Sequence, residues 1–211
     1  MLFPHFKNER KYLKRGYNFV IGCDEAGRGP VAGPVVAAAC VLDPKTIGRR
    51  HKNKWYARVR DSKTIPEAER EILVKKILEN SVAHGVGIVS EKEIDKINIH
   101  HASLLAMRRA VDKAISQISQ PRRFFIFVDG KFKIPDIGAE QKAIIGGDAQ
   151  VLSIAAASII AKTHRDAIMR ELDARFPEYG FAKHKGYGTR EHQRAIRKFG
   201  ISRVHRKMFI K

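Results

Sequence analysis

The sequence predicts an α/β protein, in which helices pack against a central β-sheet. Three short apolar segments, Val20–Cys23, Pro34–Leu42 and Phe124–Val128, have the composition of buried strands. Helical patterns lie between and after them, and the longest, Val151–Arg175, is apolar on nearly every face of its first half. A helix of that kind packs deep against other structure. Strands that alternate with helices indicate a layered α/β fold.

The other elements follow from local signals. Thr64-Ile65-Pro66-Glu67 has the pattern of a capping box and predicts a helix that runs to about Glu79. Asn98 is expected to cap another helix, because apolar residues recur at helical spacing behind it, at Leu104, Met107, Val111, Ile115 and Ile118. The remaining predictions are two strands and a last helix, at Val82–Val89, Ala143–Ile145 and Arg190–Phe199.

The charge balance of the chain is strongly basic. Its 211 residues include 41 Lys and Arg against 22 Asp and Glu, for a net charge of +19. Such a field favours a polyanionic partner, and nucleic acid is the leading candidate. Ribosomal proteins and proteins of membrane surfaces can be equally basic, so charge alone leaves those classes open.

Cysteine usage and the N-terminus favour a cytoplasmic protein. Cys23 and Cys40 form no disulfide framework and no zinc-binding spacing, and we expect both to be small buried residues in a reducing compartment. Met1–Arg15 is charged and has no apolar core of a secretory signal. The longest apolar stretch, Val31–Leu42, is too short to span a bilayer. We expect a monomer.

The most informative segment is Val20–Pro30. A predicted buried strand leads into two adjacent carboxylates, Asp24 and Glu25, and then into a Gly-Arg-Gly-Pro loop. Adjacent anions repel each other and favour a cation, and hard divalent metals bind carboxylate oxygens. The glycines allow close backbone approach, and Arg28 can donate to a phosphate. The pattern suggests metal-assisted chemistry on a phosphodiester; an ordinary strand end with a surface turn is the alternative.

Two further carboxylates repeat the pattern. Asp129 follows a predicted strand, and Asp148 precedes the long helix, whose dipole should favour its ionised form. Strand ends of an α/β sheet converge at one edge, so these acids can meet Asp24 and Glu25. Successive side chains of a strand face opposite ways, so Asp24 and Glu25 share a metal only if the chain bends or the Glu25 carbonyl serves. Four carboxylates can hold two divalent ions.

These residues resemble the ribonuclease HII family. The resemblance covers roughly residues 18 to 208 in the family's order, and together its motifs are highly specific. They are Gly22–Pro30, Asp61-Ser62-Lys63, Val128-Asp129-Gly130, Gly147-Asp148, Ser153–Ile159, Ala161-Lys162, His184–Thr189 and His205-Arg206-Lys207.

The resemblance implies an RNase H-like fold, with a central mixed β-sheet flanked by helices and a helical C-terminal extension. It divides the chain into a basic N-terminal segment (1–17), a catalytic domain (18–176) and a helical, basic substrate-binding part (177–211). The implied activity is endonucleolytic cleavage of RNA in RNA–DNA hybrids. It includes incision 5′ of ribonucleotides embedded in duplex DNA, which leaves 3′-OH and 5′-phosphate ends.

The resemblance also implies the site residues. The ligands of Mg²⁺ or Mn²⁺, in a two-metal arrangement, would be Asp24, Glu25, Asp129 and Asp148. The predicted substrate-binding residues are Gly27, Arg28, Gly29, Lys63, Lys162, His184, Lys185 and Tyr187. The glycine-flanked Tyr187 would pack on the deoxyribose beside the ribonucleotide, and the Gly-Arg-Gly segment would bind around its 2′-OH, the group that distinguishes RNA from DNA. A structural role for His184 remains the alternative.

Two positions and one segment depart from the family's pattern. Gly146 stands where the family usually has Lys, and Met208 where it usually has Ser or Thr. The Lys45–Arg60 segment is longer and more basic than usual, and is either a duplex contact or a solvated loop. Two other functions compete: another enzyme of the RNase H-like superfamily, and a non-catalytic nucleic-acid binder. The binder would not need four carboxylates at strand ends.

Overall fold

The computed structural model describes residues 4–47, 54–119 and 122–210, which form one mixed sheet with helices on both faces. The strands are β1 (Phe19–Ala26), β2 (Val35–Leu42), β3 (Ser81–Val89), β4 (Phe124–Asp129) and β5 (Glu140–Ile144). The helices are α1 (Lys7–Leu13), α2 (Glu67–Glu79), α3 (Glu91–Ile115), α4 (Leu152–Arg175), α5 (Phe181–His184) and α6 (Arg190–Phe199). The predicted α/β class is therefore confirmed, and α5 and α6 form the expected helical C-terminal part.

The sheet has the order β3-β2-β1-β4-β5. β1 pairs antiparallel with β2 and β2 with β3, whereas β1–β4 and β4–β5 are parallel. Every residue of β2 is buried, because α3 covers one face of the sheet and α4 the other. Cys23 and Cys40 are both buried free thiols, as expected.

Helix α4 lies directly on β1, beside the predicted site. A Cβ added to Gly22 would lie 2.1 Å from the backbone carbon of Ser153, so only glycine permits this approach. The buried first half of α4 explains why its sequence is apolar on nearly every face. This contact fixes the helix against the strand that carries Asp24 and Glu25.

Helix α3 begins eight residues earlier than the predicted cap at Asn98 indicated. Ser90 and Glu93 form a capping box: the Ser90 side chain accepts from the Glu93 N–H, and Glu93 Oε2 accepts from the Ser90 N–H at 2.9 Å. Asn98 interrupts the helix with φ 64° and ψ 165°, and its Oδ1 accepts from the N–H groups of His100 and His101. Asn98 therefore caps the second part of α3, as predicted, while the first part was missed.

Other boundaries differ in smaller ways. Helix α2 spans the predicted range, but the proposed capping box is wrong: the Thr64 hydroxyl donates to the Asp61 carbonyl, and Pro66 occupies the cap position. β1 continues through Ala26, so Asp24 and Glu25 lie inside the strand rather than after it. Helix α1 and the placement of β5 at Glu140–Ile144 were not anticipated.

The basic Lys45–Arg60 segment is described only in part. Residues 48–53, which include Arg49, Arg50 and Lys52, lie outside the described residues. Trp55–Arg58 form a 3₁₀ turn in which Tyr56 is buried. In the parts of the chain that the structure describes, no helix is long and apolar enough to cross a membrane.

Candidate active site

The sheet register brings the carboxylates together. In the parallel pair β1–β4 the last partners are Cys23 and Val128, so Asp24 and Asp129 follow at the same level on neighbouring strands. The Gly147 N–H donates to Asp129 Oδ1 at 2.7 Å, which anchors the 3₁₀ turn Gly147–Ala149 at this edge. That turn carries Asp148. All four predicted metal ligands, Asp24, Glu25, Asp129 and Asp148, therefore line one cleft of about 180 Å³.

The cleft holds these acids close to one another and partly away from water. Burial raises the pKa of Asp24 well above its usual range, and repulsion from Glu25 and Asp129 adds to the effect. Burial also raises the pKa of Glu25, although the Arg28 guanidinium, 3.3 Å from Glu25 Oε1, opposes it. The Glu25 N–H donates to Asp24 Oδ1 at 2.7 Å. Crowding and burial therefore disfavour the simultaneous ionisation of Asp24 and Glu25 unless a further cation joins them.

Asp148 differs from its prediction. It lies in the 3₁₀ turn, four residues before α4, rather than at the helix start. Its pKa is raised, first by burial and then by repulsion from Asp129 and Asp61, so the expected gain from the helix dipole does not dominate. The dipole effect is confined to the first turn, and Asp148 lies outside it.

The donor set has the chemistry that a divalent cation requires. Carboxylate oxygens are the preferred ligands of Mg²⁺ and Mn²⁺, and crowded acids with raised pKa values gain from a bound cation. Among the described residues, however, no three acidic, histidine or cysteine side chains already form a ready-made metal cluster. The residues therefore fit a divalent cation by type and charge.

Most predicted substrate-binding residues line the same cleft. They are Gly27, Arg28, Gly29, Lys63, Lys162 and Tyr187. The Tyr187 ring is 45% exposed, and a Cβ added to Gly29 would lie 3.6 Å from one of its ring carbons. The structure therefore sets the glycine loop and the tyrosine side by side, although they are far apart in sequence.

Lysine 63 is presented by a rigid turn. Asp61 caps a short 3₁₀ turn by accepting from the Lys63 N–H at 2.9 Å. The Ser62 hydroxyl is buried and hydrogen-bonds the Ser158 hydroxyl of α4 at 2.8 Å. These contacts leave the Lys63 side chain exposed at the cleft.

Lysine 162 is held by an internal network. Its Nζ lies 2.6 Å from Asp166 Oδ1, and Asp166 Oδ2 also accepts from Arg70 at 2.9 Å. Burial lowers the pKa of Lys162, and the bond to Asp166 opposes that change. Lys162 is thus a fixed cation at the cleft wall.

Two of the predicted substrate-binding residues do not line the cleft. His184 is buried; its Nε2–H donates to the Tyr179 carbonyl at 2.7 Å, and its Nδ1 accepts from the Gly186 N–H at 3.2 Å. Lys185 Nζ lies 3.5 Å from Glu67. Since both His184 ring nitrogens are used within the protein, its geometry favours the structural alternative, support of the segment before Tyr187.

Sequence reasoning assigned no role to four residues that line the cleft, which are Ala26, Ser62, Ser158 and Arg165. Ser158 belongs to a motif but had been assigned no role, and Arg165 had no sequence signal at all. Arg165 is 1% exposed and donates to the carbonyls of Pro34, Ala32 and Lys185. An arginine on a long helix of a basic chain is expected at the surface, so only the fold identifies it as internal.

A mixed sheet flanked by helices, with carboxylates converging at one edge beside a basic rim, defines a nuclease of the RNase H-like class. The family model for ribonuclease HII matches residues 21–211, and the chain belongs to that family. It is 47% identical over 203 residues to ribonuclease HII of Acetivibrio thermocellus, which covers 96% of this chain and 74% of the relative. It is 44% identical over 207 residues to the Caldicellulosiruptor bescii enzyme, covering 98% and 94%.

A solved structure agrees with the fold. The crystal structure of ribonuclease H2 from Pyrococcus horikoshii superposes with a TM-score of 0.68 at 27% identity, and the match covers 90% of this chain and 93% of that one. The chain is therefore a type 2 RNase H, an endoribonuclease that hydrolyses phosphodiesters. Dependence on divalent metals and incision at ribonucleotides are general properties of this family.

Proposed function

We propose that the described cleft incises the strand 5′ of a ribonucleotide in duplex DNA, and also cleaves RNA in RNA–DNA hybrids, with Mg²⁺ or Mn²⁺ as the cofactor. The observation that carries this proposal is the meeting of two features in one cleft: four carboxylates, and a ring, Tyr187, packed beside Gly29. A non-catalytic nucleic-acid binder would not require the four carboxylates. A nuclease without selectivity for ribonucleotides would not require Tyr187 beside Gly29.

Asp24, Glu25, Asp129 and Asp148 would hold the metal ions. The β1–β2 ladder continues through Ala26 without ending at Glu25. An unbent strand supports the Glu25 carbonyl, rather than a bend of the chain, as the way in which that residue reaches an ion shared with Asp24. When bound, a pair of divalent ions activates a water molecule and stabilises the leaving 3′ oxygen. The products then carry 3′-OH and 5′-phosphate ends.

The basic rim would bind and orient the scissile strand. Arg28, Lys63 and Lys162 offer cationic donors to phosphates around the acids, and the backbone of Gly27–Gly29 approaches the 2′-OH. Tyr187 would pack on the adjoining deoxyribose, where a ribose with its extra hydroxyl fits less well. Together, the Gly27–Gly29 backbone and Tyr187 would recognise the junction between a ribonucleotide and the adjoining deoxyribonucleotide.

Duplex DNA would extend from the cleft along α6. Exposed basic side chains lie on that helix, at Arg190, Arg194, Arg197 and Lys198. Their charge supports residues 177–211 as the substrate-binding part. The carboxylates Asp24, Glu25, Asp129 and Asp148 lie within residues 18–176, which we propose as the catalytic domain, with residues 1–17 as a basic N-terminal segment. The two free thiols suit a reducing compartment, and we place the enzyme in the cytoplasm as a monomer that acts in ribonucleotide excision repair.

The test is a cleavage assay with mapped ends. A labelled DNA duplex with one ribonucleotide is incubated with Mg²⁺ or Mn²⁺, and the product is sized against a ladder. We expect one cut, on the 5′ side of the ribonucleotide, and none in an all-DNA duplex. Cleavage of the all-DNA control, or a cut on the 3′ side, contradicts the proposal.

A further inference from the structure

The dipeptide His205-Arg206, near the C-terminus, is linked to both halves of the proposed ribonucleotide reader, which is the loop Gly27–Gly29 together with Tyr187: Arg206 contacts the loop directly, and His205 is connected to Tyr187 through His192. Both side chains are buried: His205 is 3% exposed and Arg206 is 0% exposed. Neither lines the cleft, and neither has a role in the proposed chemistry. The segment also docks through its backbone, since the Arg206 N–H donates to Val31 O at 2.9 Å.

The Arg206 side chain holds the glycine loop by its carbonyls. Nη2 donates to Gly27 O at 2.7 Å, Nη1 to Arg28 O at 3.0 Å, and Nε to Gly33 O at 2.8 Å. A guanidinium is a planar, rigid fork of donors, so three such bonds fix the orientation of three peptide groups at once.

The direction of these bonds matters for a ligand. In a trans peptide the C=O of one residue and the N–H of the next point opposite ways. Because Arg206 draws the carbonyls of Gly27 and Arg28 towards itself, the N–H groups of Arg28 and Gly29 point away from it. In the described parts of the chain neither N–H has a hydrogen-bond partner. Arg206 thus leaves two donors free for an oxygen of the substrate.

Burial of the Arg206 guanidinium carries a desolvation cost, which indicates that its hydrogen bonds have a specific role. Its described hydrogen bonds all go to neutral carbonyls, and no described carboxylate forms an ion pair with it. Desolvation lowers the pKa of Arg206 to about 9, with nearby Arg165 adding to the effect and Glu91 and Asp95 opposing it. An apolar side chain would fill the space without that penalty, but it would not orient the loop.

The His205 side chain reaches the other half of the reader through His192. His205 Nδ1 accepts from the Ser202 N–H at 2.9 Å, so its proton lies on Nε2. That proton is donated to His192 Nε2 at 3.0 Å, which leaves the His192 proton on Nδ1. His192 Nδ1–H then donates to the Tyr187 carbonyl at 2.9 Å.

Only one placement of protons satisfies this chain, and in it both rings are neutral. Burial supports that state, since desolvation lowers the pKa of His192 and lowers that of His205 to about 4. The relay is therefore directional: Ser202 fixes the tautomer of His205, which fixes that of His192, which fixes the peptide that follows Tyr187.

From this geometry we propose that Arg206 and His205 are positioning residues for substrate selectivity: Arg206 orients the Gly27–Gly29 peptides, and His205, through His192, orients Tyr187. This inference rests on the proposed function, because it assumes that the loop and Tyr187 read the ribonucleotide. Arg206 and His205 do not line the cleft themselves, and they would act on selectivity through the cleft residues that they hold in place.

The test compares kcat/KM on two substrates, a duplex with a single ribonucleotide and a continuous RNA–DNA hybrid. We expect Arg206→Lys, which keeps the charge but loses the fork, and His205→Leu each to lower the single-ribonucleotide rate about tenfold more than the hybrid rate, as expected for small misplacements of binding groups. The control Arg123→Lys, at the opposite end of β4, should alter neither. Equal losses on both substrates, or no loss, overturn the proposal.

Two further measurements separate positioning from folding. His205→Gln can still donate to His192, and should recover most of the selectivity that His205→Leu loses; an equal loss in both overturns the relay. In the wild-type protein, ¹⁵N–¹H correlation spectra of the histidine rings should give the Nε2–H tautomer for His205 and the Nδ1–H tautomer for His192. Any other pair overturns the relay without reference to a variant.

Tyr187→Ala in the same assay separates this proposal from the one it rests on. If Tyr187→Ala leaves the ratio of the two rates unchanged, the proposed reader is wrong. If it lowers the ratio while Arg206→Lys and His205→Leu do not, the reader stands and only the positioning role fails.

Discussion

We predict that Glu9 makes the stability of the protein depend on pH. The residue is fully buried, on α1, where its Oε1 accepts from the Ser153 N–H in the first turn of α4 at 2.8 Å. Its Oε2 has no hydrogen-bond partner among the described residues. Burial raises the pKa of Glu9 from 4.5 to about 7, against the opposing effect of the Ser153 bond.

The direction and size of the effect follow from linkage. Between pH 4.5 and 7 the folded protein keeps a proton on Glu9 that the unfolded chain has released, so the free energy of unfolding falls as pH rises. The contribution of Glu9 to the free energy of unfolding is fully present below pH 4.5 and is lost above about pH 7. At about 1.4 kcal/mol per pKa unit, the loss amounts to about 3 kcal/mol.

The assay is urea unfolding of the wild type and of Glu9→Gln at pH values from 4.5 to 8.5. The amide keeps an acceptor for the Ser153 N–H and cannot ionise, so the variant should lack this loss, and the two stability curves should diverge by about 3 kcal/mol across the range. Other titrating groups are common to both proteins and cancel in the difference. Glu178→Gln, a change at an exposed carboxyl, checks that burial is the cause. Parallel curves for the wild type and Glu9→Gln refute the reasoning.

Three further predictions concern the cleft and the duplex contact of α6. Asp24→Asn and Asp129→Asn should each abolish cleavage in Mg²⁺ while the circular dichroism spectrum is kept, because an amide lacks the charge that a divalent ion needs; near wild-type rates would refute the metal assignment. Tyr187→Ala should lose most incision at a single ribonucleotide and retain Mn²⁺ binding measured by calorimetry, and Tyr187→Phe should lose less because a ring is worth about 1–3 kcal/mol of stacking. Duplex affinity should fall with salt at a slope of about −0.9 per phosphate contacted, and Arg194→Gln should reduce that slope by about 1; an unchanged slope would remove α6 from the duplex contact.

The backbone elements that the sequence predicted well are those with a strong local signal. The apolar runs of β2 and β4 and the helices α4 and α6 match their predicted ranges to within a residue or so. The first part of α3 was missed because its charged residues carry no continuous apolar stripe; its start is set by the capping box of Ser90 and Glu93. The end of β1 was missed because acids are poor strand formers, and pairing with β2 overrides that preference.

The sequence predicted the acidic residues of the candidate site, but not the buried residues that hold the surrounding loop in place. Asp24 and Asp129 could be matched because each lies at the end of an apolar run, and parallel strands then bring them level. Gly146 also becomes intelligible: it has φ +62° just before the turn that carries Asp148, a conformation that favours glycine over the lysine usual in the family. This role of Gly146 could not be predicted from the sequence, because the sequence alone does not show which residue adopts a left-handed backbone conformation.

The buried arginines Arg165 and Arg206 could not be predicted from the sequence. In a chain with 41 basic residues, the expected location of any arginine is the solvated surface. Yet Arg165 and Arg206 are buried and donate to carbonyls of the segment from Gly27 to Pro34, from two different elements. A loop with several glycines has little intrinsic order. Because these guanidiniums bind the carbonyls of the loop, they fix the direction of its peptide groups. Glycine at position 27 is required by this support, since an added Cβ would lie 2.0 Å from Arg165 Nε.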